Sequence, residues 1–312
     1  MISILDDVKR EWREGSRVSQ LIIINVAVWV LLNLLQVALY VFAADSAHTL
    51  FNALMQHIEA GSAWQHTLTH PWSLLTYQFM QLGFMHLLFN MLWLYMFGRI
   101  LQDLAGVRVV LPIYILGGVA GFLVFAVGAA VLPVYMAQAL SGYMLGASAS
   151  VMAVMLAAVT LSPDYEVRLV LLGNVRIKYI AAIMVLLDLI STQGTENAGG
   201  HVAHLGGAAM GWLIIYRMRK GSDWANIFNK YWYGLRNVVV RLFRRKPTKP
   251  TMRAMPRKQP VSVFNTPHQA SDGEVINQRL VDAILEKIKR SGIQSLTDQE
   301  RELLYKVSKD KK

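Results

Sequence analysis

The feature that most constrains this chain is where its lysines and arginines are missing. None occurs from Val18 to Gly98, from Val109 to Val167, or from Tyr179 to Tyr216. Apolar runs fill these intervals, several of them near the roughly 20 residues that a helix needs to cross a bilayer. Charged residues make up only 16% of the chain, against about 25% in a soluble domain. The sequence therefore predicts an all-α polytopic membrane bundle of six transmembrane helices. They are expected at about Gln20 to Phe42, Phe79 to Leu101, Val109 to Leu132, Gly142 to Leu161, Tyr179 to Ile190 and Val202 to Tyr216. Thr49 to Ile58 reads as a short interfacial helix, and Glu166 to Lys178 as a charged connector. The basic residues fall at the start, at Arg99 and Arg108, at Arg168, Arg176 and Lys178, and after Arg217. That is every second loop, so the positive-inside rule predicts cytoplasmic N and C termini. The polar start to Arg17 and the long apolar run behind it do not read as a cleaved signal peptide. With no cysteine in the chain, disulfides are excluded.

The domain reading follows. Residues 1–17 are a cytoplasmic N-terminal segment, and 18–217 are the six-span domain. Residues 218–246 are a basic amphipathic segment on the membrane surface, 247–273 a disordered linker, and 274–312 a C-terminal helical hairpin. Arg217 to Lys258 holds thirteen basic residues and a single acid, Asp223. With Trp224, Phe228, Tyr231, Leu235 and Leu242 at helical spacing, it predicts a helix on anionic inner-leaflet lipids. Nucleic acid is not expected, because the charge abuts a span end. Thr297 and Glu300 form a capping box that opens the second helix of the hairpin.

Spans two, four and six enter from the outer face under this topology. They carry His86 with Asn90, Ser148, and His204, expected one to two turns below the outer surface. Ionisable side chains inside a span are costly and turn toward a bundle interior or a wet cavity. A serine hydroxyl is a weak nucleophile that needs a base within hydrogen-bond reach, and imidazole is the natural one near neutrality. Gly207 and Gly211 make a small-xxx-small face beyond His204. That face would press span six against Gly146, Ala147 and Ala149 at the start of span four. The spacing thus points to Ser148 as nucleophile and His204 as general base. His86 and Asn90, four apart on one helix face, are placed to donate to an oxyanion; as polar glue between helices they would serve packing alone. His201 is read as secondary. A zinc site at His201, His204 and His86 is set aside, because no carboxylate accompanies them at ligand spacing. Asp188, the one acid inside a span, is expected to be structural. No metal and no cofactor is expected. Span five and the glycine-containing loop Gln193 to Gly200 are read as the gate through which a substrate enters.

These residues carry a family pattern. The chain resembles the rhomboid family of intramembrane serine proteases in Met85-His86-Leu87-Leu88-Phe89-Asn90 with Gly98-Arg99, in Gly146-Ala147-Ser148, and in Ala203-His204-Leu205-Gly206-Gly207. The three stretches fall in the family's order, and the resemblance covers about residues 18–217. It implies a Ser148/His204 dyad that cuts single-span or polytopic membrane protein substrates near the outer face. His86 and Asn90 would match the oxyanion-stabilising positions. The setting implied is the lipid bilayer of a bacterial inner membrane. Three positions depart from the family. Ala149 stands where a glycine usually follows the serine, Ser73 follows Trp72 where arginine is common, and Met152 replaces a frequent tyrosine. The alternative function is an inactive rhomboid-like protein that binds or retains membrane clients.

Overall fold

Helix length sorts the apolar segments of the computed structural model into two groups. The structure describes residues 4–131, 142–169, 173–193, 197–243 and 278–309. Among the described residues, three helices are long and apolar enough to cross a membrane: α2 (Arg17–Ala43), α6 (Phe84–Ala105) and α7 (Val110–Val131). Before α2 lies the amphipathic α1 (Ile4–Glu14); after it come α3 (Ala47–Ile58), α4 (Trp64–Thr69) and α5 (Ser73–Thr76). Three more helices complete the bundle: α8 (Ser148–Leu161), α9 (Ile177–Ser191) and α10 (Ala198–Arg219). At 1.5 Å per residue, α8 is only about 21 Å long. That is shorter than the roughly 30 Å hydrocarbon core of a bilayer.

Two helices start later than the apolar pattern predicts, and the reason is polar in both cases. The second begins at Phe84, not Phe79. Tyr77–Phe79 is a 3-10 turn, and Gly83 caps the helix from an extended conformation. Here the buried Gln78 and Gln81 spend their side chains on neighbouring segments. The fourth begins at Ser148, not Gly142. Tyr143–Met144 pairs antiparallel with Ala60–Gly61, so these residues are strand. Gly146 then turns the chain at a φ of 134°, a region L-residues avoid. The charged connector is also not plain loop. Glu166–Leu169 and Gly173–Arg176 form an antiparallel hairpin. Beside it, Lys178 donates to Asp164 at 2.6 Å and, with Arg176 adding its charge, holds that carboxyl below its usual range.

Close backbone crossings set the centre of the bundle. Ala149 through Met155 of α8 are all buried. Added side chains at Gly207 and Gly211 of α10 would run into the carbonyl oxygens of Ala149 and Ala153. On the other flank, a Cβ at Gly117 of α7 would meet the Ala153 methyl, and one at Gly121 would sit 2.6 Å from the Ala149 methyl. Each pair is four residues apart, so two helices grip one alanine row of α8 over a full turn. The methyl of Ala149 has its space because Gly121 faces it.

A buried polar chain ties the other helices together. Tyr114 donates to the Gln78 carbonyl at 2.8 Å, and Asn25 Nδ2 reaches Tyr114 Oη at 3.1 Å. Gln81 Nε2 donates to Asn25 Oδ1 at 3.1 Å, and Asn90 Nδ2 to Gln81 Oε1 at 2.8 Å. Ser150 Oγ donates to Gln78 Oε1 at 3.1 Å. Groups from α2, α6, α7, α8 and the turn before α6 are joined and satisfied by one another, which fixes relative helix positions where apolar packing alone would not.

Helix α11 (Trp224–Phe243) follows the bundle. Trp224 and Phe228 pack on the core, and Asn229 donates to the Arg108 carbonyl at 2.9 Å. Its Tyr231, Leu235 and Val238 stay exposed. The disordered linker expected at 247–273 and the end of the basic stretch lie outside the described residues, as do 194–196 of the gate loop.

The chain divides into two compact units, with the second beginning at Arg245. In that unit α12 (Gln278–Ser291) ends at Gly292, and α13 (Asp298–Lys309) follows. The capping box forms: the Thr297 N–H donates to Glu300 Oε2 at 2.8 Å and the Glu300 N–H to Thr297 Oγ1 at 3.4 Å. Lys287 of α12 grips both oxygens of the same carboxylate at 2.9 and 2.8 Å. Together these contacts, Lys287 foremost, hold the Glu300 carboxyl below its usual range.

Candidate active site

Each candidate side chain sits within the first two turns of its helix. His86 is in the opening turn of α6, with Asn90 one turn on. Ser148 is the first residue of α8, not one or two turns inside it. His201 and His204 lie in the first and second turns of α10, which starts before the expected Val202. Extended segments, not helix, lead into α6 and α8.

His86, Asn90, Ser148, His201 and His204 line one cavity of about 250 Å³, and Asp188 lines it too. The remaining wall is largely apolar, with Phe89, Trp93, Met152, Met155, Met184 and Leu187. Gly146 explains how His86 and Ser148 are brought so near. A Cβ at Gly146 would lie 3.3 Å from His86 Cε1 and 3.5 Å from Ser148 Oγ. A larger residue there would be strained and would crowd both groups. At the head of α8 the Ser148 N–H has no acceptor within its own helix and points its dipole outward, which favours negative charge. Among the described residues Ser148 Oγ makes no hydrogen bond; such contacts often tighten only when substrate is bound. One Asn90 amide hydrogen goes to Gln81, which leaves the other for the cavity.

The largest departure from the sequence reading is Asp188. It lies near the end of α9 with 5% of its surface exposed. Its Oδ1 is 2.8 Å from His204 Nδ1 and 2.8 Å from His201 Nδ1. The carboxylate absent at ligand spacing in the sequence thus arrives through space. These three ligating atoms lie within 4.8 Å of one another, close enough for two imidazoles and a carboxylate to share a metal ion. The N···O distances, however, are those of charge-assisted hydrogen bonds. Two ligands of a tetrahedral zinc would stand about 3.3 Å apart. The His201 ring meets His204 edge-on, with centroids 5.6 Å apart. Met152, at the position of the frequent tyrosine, lines the cavity, and the His204 ring is contacted by Asp188 and His201. One signal in the sequence could have found Asp188: an acid inside a span is costly and in general functional.

Comparison with known proteins adds an independent line. The family model of the rhomboid domain matches residues 68–221, and that of a family of unknown function, DUF6576, matches residues 272–310. The chain is 25% identical to RHOMBOID-like protein 12, mitochondrial, of Arabidopsis thaliana, over 68% of this chain and 62% of that protein. It is 31% identical to Presenilin-associated rhomboid-like protein A, mitochondrial, of Danio rerio, over 49% of this chain and 39% of that protein. The chain therefore spans less than two thirds of the length of either relative.

Proposed function

The chain belongs to the rhomboid family, and from that premise we propose that it is an intramembrane serine endopeptidase working with Ser148 and His204. The observation that carries this reading is the shared cavity: nucleophile, base and two polar side chains from three helices open onto one space. Neutral His204 takes the Ser148 Oγ proton as Oγ attacks the scissile carbonyl carbon. The oxyanion accepts hydrogen bonds from the free Asn90 Nδ2–H, the His86 ring and the Ser148 N–H. His204 then gives its proton to the leaving amine as the C–N bond breaks. Water, activated by the same base, hydrolyses the acyl ester and frees Ser148.

The six-span count with both termini on the cytoplasmic side, and the seating of α11 on anionic inner-leaflet lipids, belong to this reading. In it α8, α9 and α10 complete the crossings begun by α2, α6 and α7. A bacterial inner membrane is the setting the sequence suggests; both relatives named above are mitochondrial proteins. Substrates are membrane proteins that enter between α6 and α9. Helix α9 buries only Ile177, Ala181 and Asp188, so little buried apolar surface resists its movement. Its end and the loop behind it form the gate.

The rival reading is an inactive relative that retains membrane clients, and the unbonded Ser148 hydroxyl is the observation in its favour. Cleavage of a reconstituted transmembrane substrate separates the two. Ser148→Ala and His204→Ala should each abolish cleavage while purifying as folded protein, and the double variant should be little worse than either. Cleavage by Ser148→Ala at the wild-type rate would remove the serine mechanism.

A further inference from the structure

Asp188 is buried, charged, and has no part in a two-residue mechanism. Its contacts are specific. Oδ1 lies 2.8 Å from His204 Nδ1 and 2.8 Å from His201 Nδ1. Oδ2 is fully buried and, among the described residues, has no hydrogen-bond partner. An ionised carboxylate only accepts hydrogen bonds, so both imidazoles must carry their protons on Nδ1. In neutral His204 that leaves the Nε2 lone pair bare, which is the atom a serine base has to offer.

We propose that Asp188 is the positioning residue of His204, turning the serine–histidine pair into a three-membered device. The inference rests on the protease reading. Asp188 fixes the tautomer and the ring plane of His204 before substrate arrives. When Ser148 Oγ attacks, its proton moves to Nε2 and the Nδ1 proton stays on the ring. The imidazolium so formed faces a carboxylate whose hydrogen bonds, among the described residues, go to the two imidazoles. No proton passes to Asp188. His201 shares the oxygen and meets the His204 ring edge-on, so it limits the ring's rotation.

The unpartnered Oδ2 says what an amide would do in its place. In Asp188→Asn, an NH2 group at the Oδ2 position would be a buried donor with nothing to bond. The amide therefore turns its nitrogen toward the rings, where Nδ1 accepts once the imidazole proton has moved to Nε2. His204 then points a hydrogen at Ser148 instead of a lone pair.

The test is made on full-length protein in detergent. Cleavage of a transmembrane substrate by Asp188→Asn should show kcat reduced on the order of 10²–10⁴-fold, with KM nearly unchanged. Imidazole 15N shifts in histidine-labelled protein, with His204 assigned by its loss in His204→Gln, should report the Nδ1–H tautomer in wild type and Nε2–H in Asp188→Asn. The wild-type spectrum decides the case even if the amide variant does not fold. An Nε2–H tautomer in wild type, or a kcat in Asp188→Asn within threefold of wild type, would overturn the proposal. Activity lost to EDTA and restored by Zn²⁺ would also overturn it, by making the trio a metal centre. Ser148→Ala is run alongside. If it cleaves like wild type, the protease reading itself has failed; if only Asp188→Asn does, the positioning role alone has.

Discussion

Helices α2 and α8 are both apolar, yet they answer to different surroundings. The first is 27 residues long, and Leu31, Leu34, Val37, Tyr40 and Phe42 lie exposed along its outer side. The second is 14 residues long and buried by protein from Ala149 to Met155. Lipid tolerates any apolar side chain of roughly the right length, so α2 is large, branched and loosely specified. Protein backbones tolerate only what fits, so α8 is built on Ala149 and Ala153 with glycines facing them on both flanks. The site sits on the second kind of helix. A nucleophile and a base from separate helices meet only where backbones approach closely, and the close approach is written in small residues, not in hydropathy.

That comparison can be broken directly. Gly207→Val places a side chain on the Ala149 carbonyl and should prevent α10 from docking. We expect loss of most folded protein, read as detergent-extractable monomer by size-exclusion chromatography. Leu31→Ala on α2 should shift stability by about 0.5 kcal/mol or less. Equal tolerance at both positions would mean that the crossing does not organise the bundle.

Asn90→Ala sharpens it. The variant removes a proposed oxyanion donor and the end of the polar chain through Gln81. If donation dominates, turnover falls roughly 10–1000-fold with KM little changed. Loss of folded protein without a selective fall in kcat would assign Asn90 to helix packing instead.

The smallest effect is expected far from the chemistry, in the C-terminal hairpin. Glu300 has its carboxyl held down by Lys287 and by the Thr297 N–H. A group depressed in the folded state stabilises fully above its unfolded value, roughly 4.3 for glutamate. That contribution is lost as pH falls through the lower folded value. Amide protection in the full-length protein, taken relative to intrinsic exchange at each pH, should therefore fall across residues 278–309 below about pH 4, and Glu300→Gln should lose most of this dependence. An unchanged profile would mean that the capping box and ion pair contribute nothing in solution.

The parts of the fold that a single segment dictates were legible in the sequence. Hydropathy found α2, α6 and α7; the capping box found α13; Gly207 and Gly211 pointed to the α8 crossing. What escaped depends on partners distant in the chain. Gln78 and Gln81 end the helical run before α6 because their side-chain partners, Ser150 and Asn25, lie on α8 and α2. Tyr143 and Met144 are strand because Ala60 and Gly61 pair with them. Asp188, near the outer end of its span, reads as a structural acid in the sequence; its histidines are 13 and 16 residues away, a spacing with no meaning until α9 and α10 are folded side by side.

The central claim is that Ser148 is a nucleophile, and one measurement addresses it without any substrate. Purified protein in detergent is treated with a fluorophosphonate probe and digested for peptide mass mapping. The account predicts a covalent phosphonyl adduct on Ser148, absent from His204→Ala. Folded wild-type protein that never acquires the adduct would contradict it.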